Sequence, residues 1–291
     1  MRVRLWGVHG SVPVPGRSTE RYGGNTSCVQ VTLSDGTIIA LDAGTGIRSM
    51  GLALSEEGAR INILLTHLHL DHIQGLLFFP PLFQPGLEIT LWGPAAPGIS
   101  LERRIGRYLS APLTPVEIRE LPCRLDFRNC PTTRWRIGPA EITAEGVTHR
   151  GPTLGFRIEE SGSSVCYLPD HEPAIIGDID KLEGEWLSGA ALARDVDLLL
   201  HDCQYTDVEY PSHVGWGHSS VTHALQFARR VGARKTLLFH HDPRHTDDYL
   251  DAMLDEARAD WMAGGGREGE IAMAAEGISV TVGTSTPTIK S

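Results

Sequence analysis

Apolar positions recur along this chain in two rhythms. Residues 2–7 alternate polar and apolar, as a strand with one covered face does. Residues 28–33 and 36–41 flank Asp35-Gly36, the pattern of a hairpin turning at that dipeptide. The segments 61–66 and 197–201 are almost continuously apolar, which predicts strands buried on both faces. Further strand-like runs fall at 87–92, 141–148, 154–159, 164–168, 235–240 and 278–282, and the whole of 112–168 reads as mainly β. Helical sequence occupies 46–58, 99–110, 219–231 and 245–262, while 171–195 mixes helix and loop. Strands and helices intermingle, with many β-to-β connections. The expectation is two mixed sheets covered by helices, a layered sandwich.

Composition narrows the class. Across 291 residues the hydrophobic share is 41%, enough for a sizeable core, and we expect one domain over 1–291. Acidic residues outnumber basic ones, 36 to 26, for a net charge of −10. Such a chain repels a phosphate backbone, so long nucleic acids are disfavoured as partners. The cysteines are five, an odd number, without CxxC spacing, which argues against a disulfide framework. The N-terminal residues lack the apolar core of a signal peptide, and no apolar run is long enough to span a membrane. A cytoplasmic protein is expected, with a homodimer left open.

Thirteen histidines make their placement informative. Thr66-His67-Leu68-His69-Leu70-Asp71-His72 follows a buried strand directly. His67 and His69, two apart, point to one side of an extended chain. Asp71 and His72 fall where the chain would turn into a helix. Imidazole and carboxylate suit zinc, manganese or iron. Three histidines and an aspartate in six residues exceed what one tetrahedral ion takes from so short a stretch, which points to two metals. A dense ligand cluster at a strand end has little packing value.

HxHxDH is the signature of the metallo-β-lactamase superfamily, and the chain resembles that superfamily over nearly its whole length, most of all the branch containing tRNase Z and the phosphoribosyl cyclic phosphodiesterases. Val147-Thr148-His149, Tyr167-Leu168-Pro169-Asp170, Gly217-His218-Ser219-Ser220 and Leu237-Leu238-Phe239-His240 resemble the branch's remaining motifs. The resemblance implies an α/β fold, a four-layer αββα sandwich of two mixed β-sheets flanked by helices. It also implies that His67, His69 and His149 hold one divalent ion, that Asp71, His72 and His240 hold a second, and that Asp170 bridges them. Zinc is the first expectation, with manganese or iron as alternatives. A water shared by two dications becomes an attacking hydroxide near neutral pH, and Asp71 could orient it. His240 and His241 are adjacent, and only one can easily reach the metals. An ungapped count from His218 places the ligand on His240, and His241 is the alternative.

His218 opens a helix beside two serines, where anions are favoured, and would donate a proton to a leaving oxygen. Asp42 is expected to support the ligand histidines or the loop backbone. His171, His201, Asp202, His213 and Asn25 lie near motifs without a clear task. Tyr205, Tyr210 and Trp216 sit on a loop leading to His218 and could stack a base or simply pin the loop. The expected function is a metal-dependent hydrolase, a phosphodiesterase for small substrates such as a cyclic nucleotide or a phosphoribosyl cyclic phosphate. A tRNase Z-like endoribonuclease is the rival. That family inserts a long arm between the third histidine and the bridging aspartate, whereas His149 and Asp170 here are 21 residues apart. A metal-dependent sensing module with little turnover is the alternative from another class.

Overall fold

The apolar runs become the interiors of two sheets. In the computed structural model, residues 1–54, 60–175, 178–283 and 287–290 are described. One sheet has the order β15 (Thr288–Lys290), β14 (Ser279–Thr281), β1 (Arg2–Gly7), β2 (Cys28–Thr32), β3 (Ile38–Leu41), β4 (Ile61–Leu64), β5 (Glu88–Gly93), β6 (Arg124–Asn129). The other runs β13 (Ile271–Met273), β12 (Thr236–Phe239), β11 (Leu198–Asp202), β10 (Ser163–Leu168), β9 (Leu154–Glu160), β8 (Ala140–Gly146), β7 (Trp135–Ile137). Strands β3 to β6 are mutually parallel, as are β10 to β13, and the remaining pairings are antiparallel. Both sheets are therefore mixed. Continuous burial of β3, β10, β11 and β12 follows from cover on both faces.

Four layers result. Val29, Ile39 and Leu41 of the first sheet pack in one cluster with Phe156, Tyr167 and Phe239 of the second. Outside the first sheet, α1 (Ile47–Ala53) and α3 (Leu101–Ile105) bury Ile47, Met50 and Ile105. Outside the second, α4 (Ala190–Ala193), α5 (Val221–Val231) and α6 (Asp247–Ala263) bury Leu192, Phe227 and Leu250. The short α2 (Leu70–Ile73) carries part of the histidine motif. No helix among the described residues is long and apolar enough to cross a membrane.

The structure departs from the sequence reading at polar or short elements. The helix expected over 46–58 is α1, and 55–58 lie outside the described residues. The helix expected over 99–110 is regular only across Leu101–Ile105, capped by the Ser100 side chain, before turns take over. Strands β6 and β7 were not separately visible in sequence. β6 is an edge strand bearing Arg124, Asp126 and Arg128, so it lacks an apolar signature. Between β9 and β10 the chain turns on Ser161 and Gly162, with φ of 51° and 78°, a tight hairpin and nothing longer.

Candidate metal centre

The carboxyl ends of β3 and β4 meet those of β10, β11 and β12, so residues far apart in sequence share one edge of the sandwich. In parallel sheets this is the edge where ligands bind. Asp42 leaves β3 at φ 60° and is fully buried. Its Oδ1 accepts Thr66 N–H at 2.7 Å, and its Oδ2 accepts the Tyr167 hydroxyl at 3.1 Å and His72 Nδ1–H at 2.8 Å. The Thr66 hydroxyl also donates to Asp42, at 2.9 Å from Oδ2, and accepts from His67 Nδ1 at 3.0 Å. Gly44 and Gly75 permit this closeness. A Cβ on Gly44 would lie 2.4 Å from Asp71 O, and one on Gly75 2.0 Å from Gly44 O. Gly44 thus serves close packing against α2.

His69 is extended at φ −67°, ψ 154° and caps α2, so the backbone changes from strand-like to helical within the motif. That change lets four side chains converge. His67, His69, His149 and Asp170 form one group of possible ligand atoms mutually within 4.8 Å, and Asp71, His72, Asp170 and His240 form a second. Asp170 belongs to both. Its Oδ2 faces His67 Nε2 at 3.7 Å and His149 Nε2 at 3.6 Å, while its Oδ1 faces His72 Nε2 at 3.0 Å and His240 Nε2 at 3.3 Å. Asp71 Oδ2 lies 3.3 Å from His72 Nε2 and 3.4 Å from His240 Nε2 and accepts Ser11 N–H at 2.7 Å. His69 Nδ1 approaches His149 Nε2 to 3.3 Å. The second group is entirely buried. The first is open to solvent at His69 and partly at His149.

The donor set fits metal ions. His67 Nε2, His72 Nε2, His240 Nε2 and Asp170 Oδ1 are buried without a hydrogen-bond partner, a costly condition unless another group satisfies them. Four imidazoles have Nδ1 held elsewhere: His67 by Thr66, His72 by Asp42, His149 by Gly217 O at 2.9 Å and His240 by Gln204 Oε1 at 3.1 Å. Each held Nδ1 selects the tautomer whose Nε2 lone pair faces the cluster. Burial works against charge on Asp71 and Asp170, yet the surrounding imidazoles hold both carboxyls well below the usual range. Burial likewise opposes charge on His72, but Asp170, Asp71 and Asp42 together hold its proton on to well above the ordinary histidine range. Burial lowers His67.

His218 stands beside these groups, stacked 5.0 Å from His240 and edge-on 4.9 Å from His149. Its Nδ1 is 2.7 Å from Asp202 Oδ2. Asp202 also accepts N–H from His171, Gln204 and Ser219 at 3.0–3.1 Å. Burial raises the Asp202 carboxyl to about 8, against the pull of His240, and burial lowers His218.

All eight residues singled out by sequence, His67, His69, Asp71, His72, His149, Asp170, His218 and His240, meet here. His240 leaves β12 at φ 65°, and His241 turns away to bond Ala274 O at 2.8 Å. Asp42 accepts hydrogen bonds from His72 Nδ1 and from the Thr66 backbone. Asn25 bonds Glu276, and His171 pairs with His201 at 3.0 Å behind Asp202. Gln204, Thr66 and Glu172 were not singled out, and Asp202 was left without a task. The signal for Asp202 and Gln204 was a polar run, 201–204, ending a buried strand.

The family described as Beta-lactamase superfamily domain matches residues 37–241, a span holding every residue of both clusters. Ribonuclease Z of Kineococcus radiotolerans is 29% identical over 268 residues, covering 80% of this chain and 82% of that protein. The structure of human tRNase Z, short form, superposes with a TM-score of 0.67 at 22% identity, over 97% of this chain and 100% of that one. A diphosphatase of the PhnP family superposes equally, at 0.67 and 18% identity, over 96% of this chain and 97% of that one. At such identities likeness fixes the fold and leaves the substrate open. Through its matched span and its two mixed sheets between helices, the chain belongs to the beta-lactamase superfamily.

Proposed function

We propose that the chain is a metal-dependent hydrolase that cleaves small phosphodiesters, of the cyclic nucleotide or phosphoribosyl cyclic phosphate type. The observation that carries this reading is a pair of His/Asp clusters sharing Asp170, with the Asp202–His218 pair beside them. His67, His69 and His149 would hold one divalent ion and Asp71, His72 and His240 the other, with Asp170 between and zinc as the first choice. When bound, two such ions supply Lewis acidity and acidify water near neutral pH. The chain's own residues do the rest. Asp71, fixed by Ser11 N–H, orients the attacking water. Asp202 aims His218, which delivers a proton to the departing oxygen.

Small substrates are favoured because His149 and Asp170 are joined by a hairpin that turns on two residues, leaving no room there for an arm that grips tRNA. The net charge of −10 supports the same reading. The rival is an endoribonuclease acting on tRNA, which the likeness to ribonuclease Z at 29% identity favours. Hydrolysis of bis(p-nitrophenyl) phosphate with and without added zinc or manganese, then of cyclic nucleotides against a 3′-extended precursor tRNA, tests both. The small substrates should show the higher kcat/KM. Preferred cleavage of precursor tRNA would replace the proposal with its rival. No phosphodiester hydrolysis by a chain holding two ions would overturn both, in favour of a sensing module.

A further inference from the structure

Trp216 is 49% exposed in a segment that is otherwise tied down. Gly215 and Gly217 flank it at φ of 79° and 93°, a backbone region that other residues rarely adopt. Their N–H groups donate to the two oxygens of a single carboxylate, Glu172 Oε1 and Oε2, each at 2.9 Å. The Tyr210 hydroxyl donates to the same Oε1 at 2.7 Å. Glu172 is fully buried, a placement tolerated only with such partners. The loop is therefore pinned by Glu172, and the indole is not needed to pin it.

This clamp is joined to the metal centre. Glu172 N–H donates to Thr148 O at 3.0 Å, next to His149. Gly217 O accepts from His149 Nδ1 at 2.9 Å, so the residue after Trp216 sets the tautomer of His149. From Trp216 inward runs a row of rings. His213 meets it edge-on at 5.0 Å, Tyr205 stacks on His213 at 4.3 Å, and Tyr205 meets His218 edge-on at 6.0 Å. His149 also lies on the side of the centre that opens to solvent. Its neighbour Arg150 is exposed, with its guanidinium carbon 5.6 Å from the Trp216 ring centroid.

We propose that Trp216, with the Arg150 guanidinium over its ring, is a recognition subsite for a nucleobase, and that Glu172 is the positioning residue holding it at the mouth of the centre. The inference rests on the phosphodiesterase reading and names the substrate as a nucleotide. Arg150 adds a cation where the ester of a stacked nucleotide carries negative charge. A preset indole loses little freedom on binding, which favours affinity.

The test is calorimetric binding of AMP and of ribose 5-phosphate to the full, zinc-loaded chain. Base stacking should make AMP bind about 5- to 150-fold tighter. Trp216→Ala should bring that ratio close to one with the Kd of ribose 5-phosphate unchanged, and Trp216→Phe should keep most of it. Glu172→Gln, which offers an amide NH2 where one glycine N–H needs an acceptor, should lower the ratio with Trp216 still present. Equal binding of the two ligands by the wild type, or a ratio that survives Trp216→Ala, would overturn the subsite. Hydrolysis of bis(p-nitrophenyl) phosphate separates the two ideas. Turnover without a base preference defeats the subsite alone, whereas absent turnover with a base preference defeats the phosphodiesterase reading.

Discussion

Asp42→Asn should weaken one of the two metal positions and spare the other. The native carboxylate takes Thr66 N–H at 2.7 Å on Oδ1, and His72 Nδ1–H at 2.8 Å and the Tyr167 hydroxyl at 3.1 Å on Oδ2. An asparagine that keeps its oxygen toward Thr66 presents NH2 to His72. His72 Nδ1 must then accept, and its proton moves to Nε2, the atom 3.0 Å from Asp170 Oδ1. That tautomer has no lone pair for a metal. Restoring the binding tautomer sets two donors face to face, which costs about 1–3 kcal/mol for an unmade buried hydrogen bond. The corresponding loss of affinity is about 10- to 100-fold, the usual consequence of removing a partner that orients a metal ligand. His67 is reached through the Thr66 hydroxyl, still 3.0 Å from the retained Oδ1, so its ion should be nearly unaffected.

Chelator competition read as two separate zinc affinities is the assay, with imidazole nitrogen NMR reporting the His72 tautomer directly. Asp42→Ala would be a poorer choice, since it strands all these donors in a fully buried site. Two zinc ions bound to Asp42→Asn with wild-type affinity would refute the tautomer argument. So would an equal loss of both ions in a folded variant.

Zinc saturation should give two ions per chain, with net proton release because His72 holds its proton in the metal-free state; calorimetry in buffers of different ionisation enthalpy measures it, and zero release contradicts the electrostatic picture. His240→Ala should remove one ion, whereas His241→Ala should leave metal content intact, since its Nε2 bonds Ala274 O at 2.8 Å; elemental analysis decides. His218→Ala should cost about 10²–10⁴ in rate with an alkoxide leaving group and far less with p-nitrophenolate; equal losses would mean that it binds phosphate instead. Burial lowers His9 and His201 to about 4, so both are neutral when folded and the unfolded chain takes up their protons first. Their contribution is complete above pH 6.5 and is lost as pH falls toward 4, at about 1.4 kcal/mol per unit for each group. The urea midpoint of the metal-free chain should decline through that window, and a flat profile would refute the assignment.

The histidine motif was legible because its chemistry is local: four donors in six residues leave little else to infer. His149, Asp170 and His240 were found one per strand end, through resemblance to known motifs. The rule that neighbours in a strand point apart said only that one of His240 and His241 reaches the cluster, and the ungapped count from His218 pointed to His240. Glu172 escaped because a lone acid in a loop carries no pattern, and Asp202, the last residue of β11, because its partners come from distant segments. Each is held by backbone N–H groups far off in sequence, up to 31 positions away for Asp202 and 45 for Glu172. The strands β6 and β7 escaped for the related reason that an edge strand needs no apolar face.

The same strand ends explain how packing sets the geometry of the centre. Asp42 at φ 60° and His240 at φ 65° both adopt left-handed backbone directly after parallel strands β3 and β12. Each such residue costs on the order of 1–3 kcal/mol and persists only where its surroundings dictate it. Asp42 is fixed by the donors of Thr66, Tyr167 and His72, and His240 by Gln204. The bend brings Asp42 to Thr66, His72 and Tyr167, and His240 to Asp71 and Asp170. What these bonds leave unsatisfied is confined to the atoms that face the cluster. Ions binding there would act on the folded chain alone, adding about 4 kcal/mol of stability at a thousandfold excess over Kd. The strained strand ends and the unpartnered Nε2 atoms are thus two sides of one arrangement, in which packing sets the geometry of donors suited to a metal.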